Sequence, residues 1–334
     1  MARRKLSKQQ RERIARIQEG RREAAAKRAE SALVGAEPGE QREGRVVVRH
    51  GRNLVVRDAE GRSVHCQFRQ NLGEIVCGDR VLWQPVEGGE GVVVALQPRT
   101  TTLSRPDFSG RDKPIAANIT LLVVVLAPYP EPSGYLLDQY LVAAELIGVH
   151  GAICLNKADL LDASGRADFR ARFAHYEKIG YPLIQVSAKT EHGLDPLLAL
   201  LQDNTSILVG QSGVGKSSLI NTLLPSPELE EGTLSDATGL GRHTTSAATL
   251  YQLESGGEII DSPGVRSFRL GRLSREQLED GFPELRALRG RCRFSNCSHG
   301  QEPDCVVQEA LQEGKIHPDR LASFQHLAEG SAER

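Results

Sequence analysis

The stretch Gly210-Gln211-Ser212-Gly213-Val214-Gly215-Lys216-Ser217-Ser218 decides how this 334-residue chain folds. It reads G-x-x-x-x-G-K-S. The run Ser206-Ile207-Leu208-Val209 before it has the composition of a strand, and Ser218-Leu219-Ile220-Asn221-Thr222-Leu223-Leu224 after it that of a helix. Strand, glycine-rich turn and helix together make a phosphate-binding loop. Glycines let backbone N–H groups turn inward on an anion, and the helix N-terminus adds partial positive charge. In such a loop Lys216 reaches the β- and γ-phosphates and the Ser217 hydroxyl ligates Mg2+. An accidental Gly/Ser loop is the competing reading, and the flanking elements weigh against it.

Around this loop, residues 107–270 alternate strand and helix, the pattern of a mostly parallel α/β sheet covered on both faces. Strands are expected at Ile119–Leu126, Gly151–Leu155 and Pro182–Val186, with helices at Tyr135–Ile147, Arg166–Ile179 and Leu194–Leu201. Asn156-Lys157-Ala158-Asp159 and Ser187-Ala188-Lys189 follow two of those strands, where such sheets bind ligands. An ionised Asp159 only accepts hydrogen bonds, and guanine offers N1–H and N2–H2 as a paired donor edge. Adenine lacks that pair and would leave the carboxylate unsatisfied, at roughly 1–3 kcal/mol. The Lys157 stem can cover the base plane, and the Ala188 N–H can meet guanine O6. Asp261-Ser262-Pro263-Gly264 follows the strand-like Glu258-Ile259-Ile260. There Asp261 can hold Mg2+ through water and the Gly264 N–H can meet a γ-phosphate. Thr233 to Thr245 between them is rich in Gly, Thr and Ser and reads as a mobile loop. Thr244 or Thr245 can complete the Mg2+ shell; the sequence does not separate them, and Thr245 is the favoured one.

Before residue 107 the pattern changes. Short alternating runs at Arg45–Arg49, Asn53–Arg57, Ser63–Phe68, Arg80–Pro85 and Gly91–Gln97 predict five strands across residues 41–103. That many strands in so short a segment suits a small closed barrel, with the OB-fold as first candidate. Arg45, Arg49, Arg52, Arg57, Arg62 and Arg69 offer such a barrel a route to RNA, although strand arginines are also commonly just solvated. Leu103-Ser104-Arg105-Pro106 reads as the linker out. Residues 1–40 form a basic arm: residues 1–28 hold eleven Lys/Arg against three Glu, net +8, in a chain whose overall charge is −1. Few large apolar side chains are present, which predicts disorder or nascent helix that orders on RNA. A solvated tail is the alternative.

No apolar core follows the basic start, so no secretory signal is expected. The longest apolar run, Leu121 to Ala127, is too short to span a bilayer. With 39% hydrophobic and 25% charged residues the chain suits a soluble protein, and the cytoplasm is the expected compartment. Cys66, Cys77 and Cys154 lie scattered in strand-like segments and read as small core residues. The other three cysteines cluster as Cys292-x4-Cys297-x-His299-x5-Cys305. Three thiolates and one imidazole are the donor set of a closed, structural zinc site. Residues 271–334 otherwise read as polar and helical. With so little apolar content, such a region needs a staple. His317 and His326 read as surface residues.

The five nucleotide motifs resemble those of the translation-factor GTPases, but in altered order: 156–159 and 187–189 come before the phosphate loop, the threonines and Asp261–Gly264. With a barrel before, a Cys/His cluster after, and Gly241-Arg242-His243-Thr244-Thr245 within, residues 41–330 resemble the RsgA (YjeQ/YloQ) family of circularly permuted, ribosome small-subunit-dependent GTPases. The resemblance implies an N-terminal OB-fold β-barrel, a circularly permuted P-loop GTPase domain and a C-terminal helical zinc-binding domain. It implies slow GTP hydrolysis, strongly stimulated by the small ribosomal subunit, in that subunit's late maturation; the expected partners are the subunit and its 16S rRNA, and the expected state is a monomer. Val265 stands where many GTPases have the glutamine that orients the attacking water. His243 is the candidate to replace it, with an RNA contact or a loop cap as alternatives. The competing class is a non-enzymatic RNA-binding scaffold with structurally bound nucleotide. The intact Lys216, Ser217, Thr245 and Asp261 set argues against it.

Overall fold

The structure is a computed structural model that describes residues 40–51, 53–68, 72–86, 88–107, 111–224, 248–262, 270–300 and 302–332. The basic arm, Arg52, Arg69, the run 225–247 and residues 263–269 lie outside the described residues, and so do the expectations placed on them.

β1 (Arg42–His50), β2 (Asn53–Asp58), β3 (Ser63–Phe68), β4 (Arg80–Pro85) and β5 (Gly91–Leu96) lie in the order β1-β2-β3-β5-β4. β4 also pairs with the first half of β1, from Arg42↔Trp83 to Arg45↔Arg80, which closes the five strands into a barrel. Alternation turns Val46, Leu54, Val56, Cys66, Val81, Trp83 and Val93 inward.

Leu103–Pro106 is not a free linker. β6 (Thr102–Pro106) and β7 (Asp112–Ala117) form a two-stranded antiparallel ribbon. Pro106 and Pro114 disguised it, but a two-stranded ribbon is all edge, and edges tolerate proline. Leu103 and Ile115 anchor the ribbon in the main core.

The chain then runs through β8 (Leu121–Leu126), α1 (Gly134–Ile147), β9 (His150–Leu155), α2 (Ala163–Ile179), β10 (Leu183–Gln185), α3 (Leu194–Leu201), β11 (Thr205–Val209), α4 (Lys216–Leu223), β12 (Ala248–Gln252) and β13 (Glu258–Asp261). Strand order is β10-β9-β8-β11-β13-β12, parallel except for β12. β8 is buried on both faces. Its Leu122, Val124 and Leu126 enter the core under α1 and α2, and its Leu121, Val123 and Val125 enter the core under α3 and α4. β12 carried no alternating signal, because Leu250 is its one fully buried side chain.

The barrel and the α/β sheet are one continuous sheet. A register shift between Val46 and Val48 lets the second half of β1 turn away from β4 and pair with β12 at Val48↔Thr249 and Arg49↔Ala248. Cys77 Sγ donates to Ala248 O at 3.0 Å beneath this junction. Gly78 there has φ +89°, and a Cβ on it would come within 2.1 Å of Ala117 O. Only glycine fits that approach.

α5 (Arg275–Asp280), α6 (Pro283–Arg286), α7 (Val306–Gln312) and α8 (Pro318–Ala332) complete the chain. The sequence understated their apolar content. Leu278, Phe282, Leu285, Ile316, Leu321, Phe324 and Leu327 form a core that closes on Val142 of α1.

Candidate nucleotide and metal sites

Three segments separated in sequence meet where β9, β10 and β11 end. The loop after β11 has Gly210, Gly213 and Gly215 at φ of +133°, +85° and +94°. A Cβ on Gly210 would lie 2.3 Å from Val125 O, and one on Gly215 2.5 Å from Asn156 Nδ2. These glycines are therefore required by backbone conformation and by close packing. Val214 is buried and seats the loop. Ser212, Ser217 and Ser218 are exposed at the mouth. Lys216 Nζ donates to Gly210 O at 2.8 Å and to Gln211 O at 2.7 Å, which holds the ammonium across the loop.

Asn156, buried at the end of β9, ties the segments together. Its Nδ2 donates to Val214 O at 3.0 Å, and its Oδ1 accepts from Ala188 N at 3.2 Å. Lys157 has a left-handed φ of 62°, and its Nζ donates to Gly213 O and, at 3.1 Å, to Tyr129 O. Its stem is thus stretched beside the loop. Ser187 Oγ donates to Asp159 Oδ1 at 2.6 Å. That bond orients the carboxylate and uses one of its oxygens. Asp159, Ala158 and Ser187 line a pocket of about 350 Å³. Arg166, Thr190 and His192 complete its lining; sequence reasoning did not single them out, since each sits outside the motif it adjoins. Lys189 is exposed one residue beyond Ala188.

Asp261 ends β13, which runs parallel to β11 through Ile207↔Ile260. Ser217 and Asp261 therefore follow adjacent parallel strands at one edge of the sheet. Hydroxyl and carboxylate oxygens are the hard donors Mg2+ takes, and Ser217 and Asp261 supply one of each. Gly264, Val265, Gly241, Arg242, His243, Thr244 and Thr245 lie outside the described residues.

The Cys/His cluster is assembled. Cys292, Cys297 and Cys305 Sγ lie 3.6, 3.6 and 3.5 Å from His299 Nδ1, and Cys292 Sγ lies 3.9 Å from Cys305 Sγ. A tetrahedron with metal–sulfur bonds of about 2.3 Å and a metal–nitrogen bond of about 2.0 Å has edges of roughly 3.5–3.8 Å. These four atoms fit a zinc ion. His299 Nε2 faces Glu279 Oε1 at 3.5 Å, and Arg275 Nε and Arg289 Nε each donate to that carboxylate at 3.1 Å. A carboxylate behind a metal-binding imidazole fixes its tautomer, and no sequence signal marked Glu279. Burial holds the His299 imidazole below its ordinary pKa, which favours the neutral ring that a metal needs. By contrast Cys66, Cys77 and Cys154 are buried thiols pushed up to about 12, inert as the core reading expected.

Four of the barrel arginines have partners within the protein. Arg45 pairs with Glu258 and donates to Thr205 Oγ1 at 2.9 Å. Arg57 reaches Glu258 at 3.7 Å and Gln252 at 3.0 Å. Arg49 donates to Ile75 O, and Arg62 pairs with Asp58 and Glu60. These four guanidinium groups fasten the barrel to itself and to β12 and β13. His317 and His326 also have partners, His175 at 3.7 Å between ring centroids and Tyr135 at 4.7 Å. No described helix is long and apolar enough to cross a membrane.

Residues 96–271 match the RsgA GTPase family. The small ribosomal subunit biogenesis GTPase RsgA of Azotobacter vinelandii is 46% identical over 98% of this chain and 97% of its own length. Its counterpart in Pseudomonas aeruginosa is 46% identical with the same coverage. Among solved structures, YjeQ from Thermotoga maritima matches with a TM-score of 0.71 and 32% identity, over 88% of this chain and 100% of that one. YloQ, described as a circularly permuted GTPase, matches with a TM-score of 0.70 and 28% identity, over 88% of this chain and 96% of that one.

Proposed function

The chain belongs to the RsgA GTPase family, and from that premise we propose that it hydrolyses GTP to GDP and phosphate under stimulation by the small ribosomal subunit, as a nucleotide-timed factor in that subunit's biogenesis. The observation that carries the reading is the Asn156 side chain. It bonds the phosphate loop through Val214 O and the third motif through Ala188 N, so motifs permuted in sequence meet around one ligand position.

In this reading Asp159 accepts from guanine N1–H and N2–H2, with Ser187 holding its other oxygen. The Ala188 N–H meets O6, and Lys157 covers the base. Gly210, Gln211, Ser212, Gly213, Val214, Gly215, Lys216, Ser217 and Ser218 cradle the phosphates. Ser217, Asp261 and Thr245 would hold Mg2+, which neutralises charge on the β- and γ-phosphate oxygens. His243 positions the attacking water. Cys292, Cys297, His299 and Cys305 would hold one structural zinc, with four protein donors and no position left for a substrate. The organisation we propose is a basic arm at 1–40, a barrel at 41–103, a GTPase domain at 107–270 and a zinc-binding domain at 271–334. It acts as a cytoplasmic monomer that grips 16S rRNA with the arm and barrel on one side and the zinc domain on the other.

Phosphate release from GTP, measured with and without purified small subunits, tests this. Stimulated release is expected, and tighter subunit binding with a non-hydrolysable GTP analogue than with GDP. Equal, negligible release in both conditions would favour a scaffold with structural nucleotide.

A further inference from the structure

Three large hydrophobic side chains are exposed among the described residues: Tyr129 at 70%, Leu160 at 52% and Phe294 at 42%. Two of them flank the base site proposed above. Leu160 directly follows Asp159. Tyr129 lends its carbonyl to Lys157 Nζ at 3.1 Å, the same ammonium that reaches Gly213 O. The Tyr129 backbone is therefore one hydrogen bond from the side chain expected to cover the base.

The loop that presents Tyr129 is built to hold still. It reads Ala127-Pro128-Tyr129-Pro130-Glu131-Pro132-Ser133. Three prolines fix φ and leave little backbone entropy to lose on binding. Ala127 and Pro132 are buried at its two ends. Ser133 caps α1 by accepting from Leu136 N at 3.2 Å. Pro130 Cδ would lie 3.7 Å from a Cβ on Gly213, so the loop abuts the phosphate loop directly. A stiff loop that holds an aromatic ring in water, beside a site for a nucleoside, has the form of a stacking platform.

We propose that the Tyr129 ring is a nucleotide-binding side chain that packs on the guanosine moiety where Lys157 leaves it open. The ring reads no hydrogen-bond edge, so it adds affinity for GTP and GDP alike and leaves the choice of guanine to Asp159. This inference rests on the nucleotide reading of the site.

The test is titration of full-length protein with GDP and with a non-hydrolysable GTP analogue. Tyr129→Ala is expected to weaken both about tenfold, and Tyr129→Phe to stay within about twofold of the parent. Tyr129→Trp gives a direct signal, because a guanine stacked on the new indole quenches it; Trp83, buried in the barrel, supplies the control emission in the parent. An alanine variant that binds as the parent does, or a phenylalanine variant as weak as alanine, overturns the proposal while leaving the site reading intact. A parent protein that binds no guanine nucleotide overturns both.

Discussion

Arg320 and Asp138 form an ion pair at 2.7 Å in which neither side chain has any solvent exposure, although 182 residues separate them in sequence. Glu284 takes the other edge of the guanidinium at 2.7 and 3.1 Å, and the Tyr176 hydroxyl donates to Asp138 Oδ1 at 2.8 Å. The Phe282 ring centroid lies 4.3 Å from the guanidinium carbon. One arginine of α8 thereby joins α6 of the zinc-bearing region to α1 and α2 of the nucleotide-binding sheet.

Removing the cation would strand two carboxylates, one fully buried. Breaking a buried pair from one side costs about 3–5 kcal/mol, because the partner is left charged without compensation. Arg320→Met is therefore expected to loosen α8 against α1 and to raise amide exchange across 318–332. Unchanged exchange and melting temperature would show that the apolar core alone holds the two bodies together.

The metal site adjoins that core: Cys297 and Cys305 belong to its buried cluster, and the Phe324 ring centroid lies 5.9 Å from that of His299. Zinc is expected at one ion per chain. Glu279→Gln, which weakens the hold on the His299 imidazole, is expected to lower zinc affinity ten- to a hundredfold, on the order seen for such outer partners. A colorimetric chelator competition reads this directly. Chelation or Cys292→Ala is expected to expose the segment 291–305 to protease while α8 stays docked on α1 through Arg320 and Asp138. Loss of the whole region on chelation would mean that the core cannot stand without the metal, as composition alone suggested.

Much of this was legible in the chain. The phosphate loop, the motifs at 156–159 and 187–189 and the Cys3His spacing each encode a backbone shape or a donor set locally, so sequence revealed them. What escaped was set by tertiary pairing. β1 looks like a barrel strand throughout, and nothing in Val48 or Arg49 announces that it leaves the barrel to join β12. The pairing of Arg45 and Arg57 was hidden because their partner, Glu258, is some two hundred residues away. Glu279 became part of the metal site only through the packing of α5.

In the nucleotide reading proposed above, Asp159 carries the choice of base. Ser187 already donates to Oδ1, which leaves the remaining acceptor capacity for a base. Asp159→Asn replaces one acceptor by a donor and opposes the guanine N1–H and N2–H2 edge. Affinity for GTP relative to ATP is expected to fall by about tenfold or more, the equivalent of roughly 1–3 kcal/mol for one buried unsatisfied group. Competition binding with both nucleotides measures the ratio, and a preference for GTP as strong as the parent's would remove Asp159 from the role.

The seam between α2 and the start of α8 is expected to be acid-sensitive. His175 stacks on His317 at 3.7 Å and 10° between planes, and its Nε2 is buried without a hydrogen-bond partner. Burial, then the neighbouring His317 and Arg320, push its pKa down to about 4, against the opposing pull of Asp319 and Glu284. A histidine with a depressed folded-state pKa binds its proton more readily when unfolded, whose imidazole titrates near 6.5. It therefore costs the fold nothing above that value, and stability falls as pH drops from about 6.5 toward about 4. His175→Phe keeps an aromatic ring against His317 but has no proton to take. Its melting temperature is expected to fall less steeply than the parent's between pH 7 and pH 5. Carboxylates that titrate in the same window are common to both proteins, so the difference in slope isolates His175, and parallel slopes would assign the acid response to them instead.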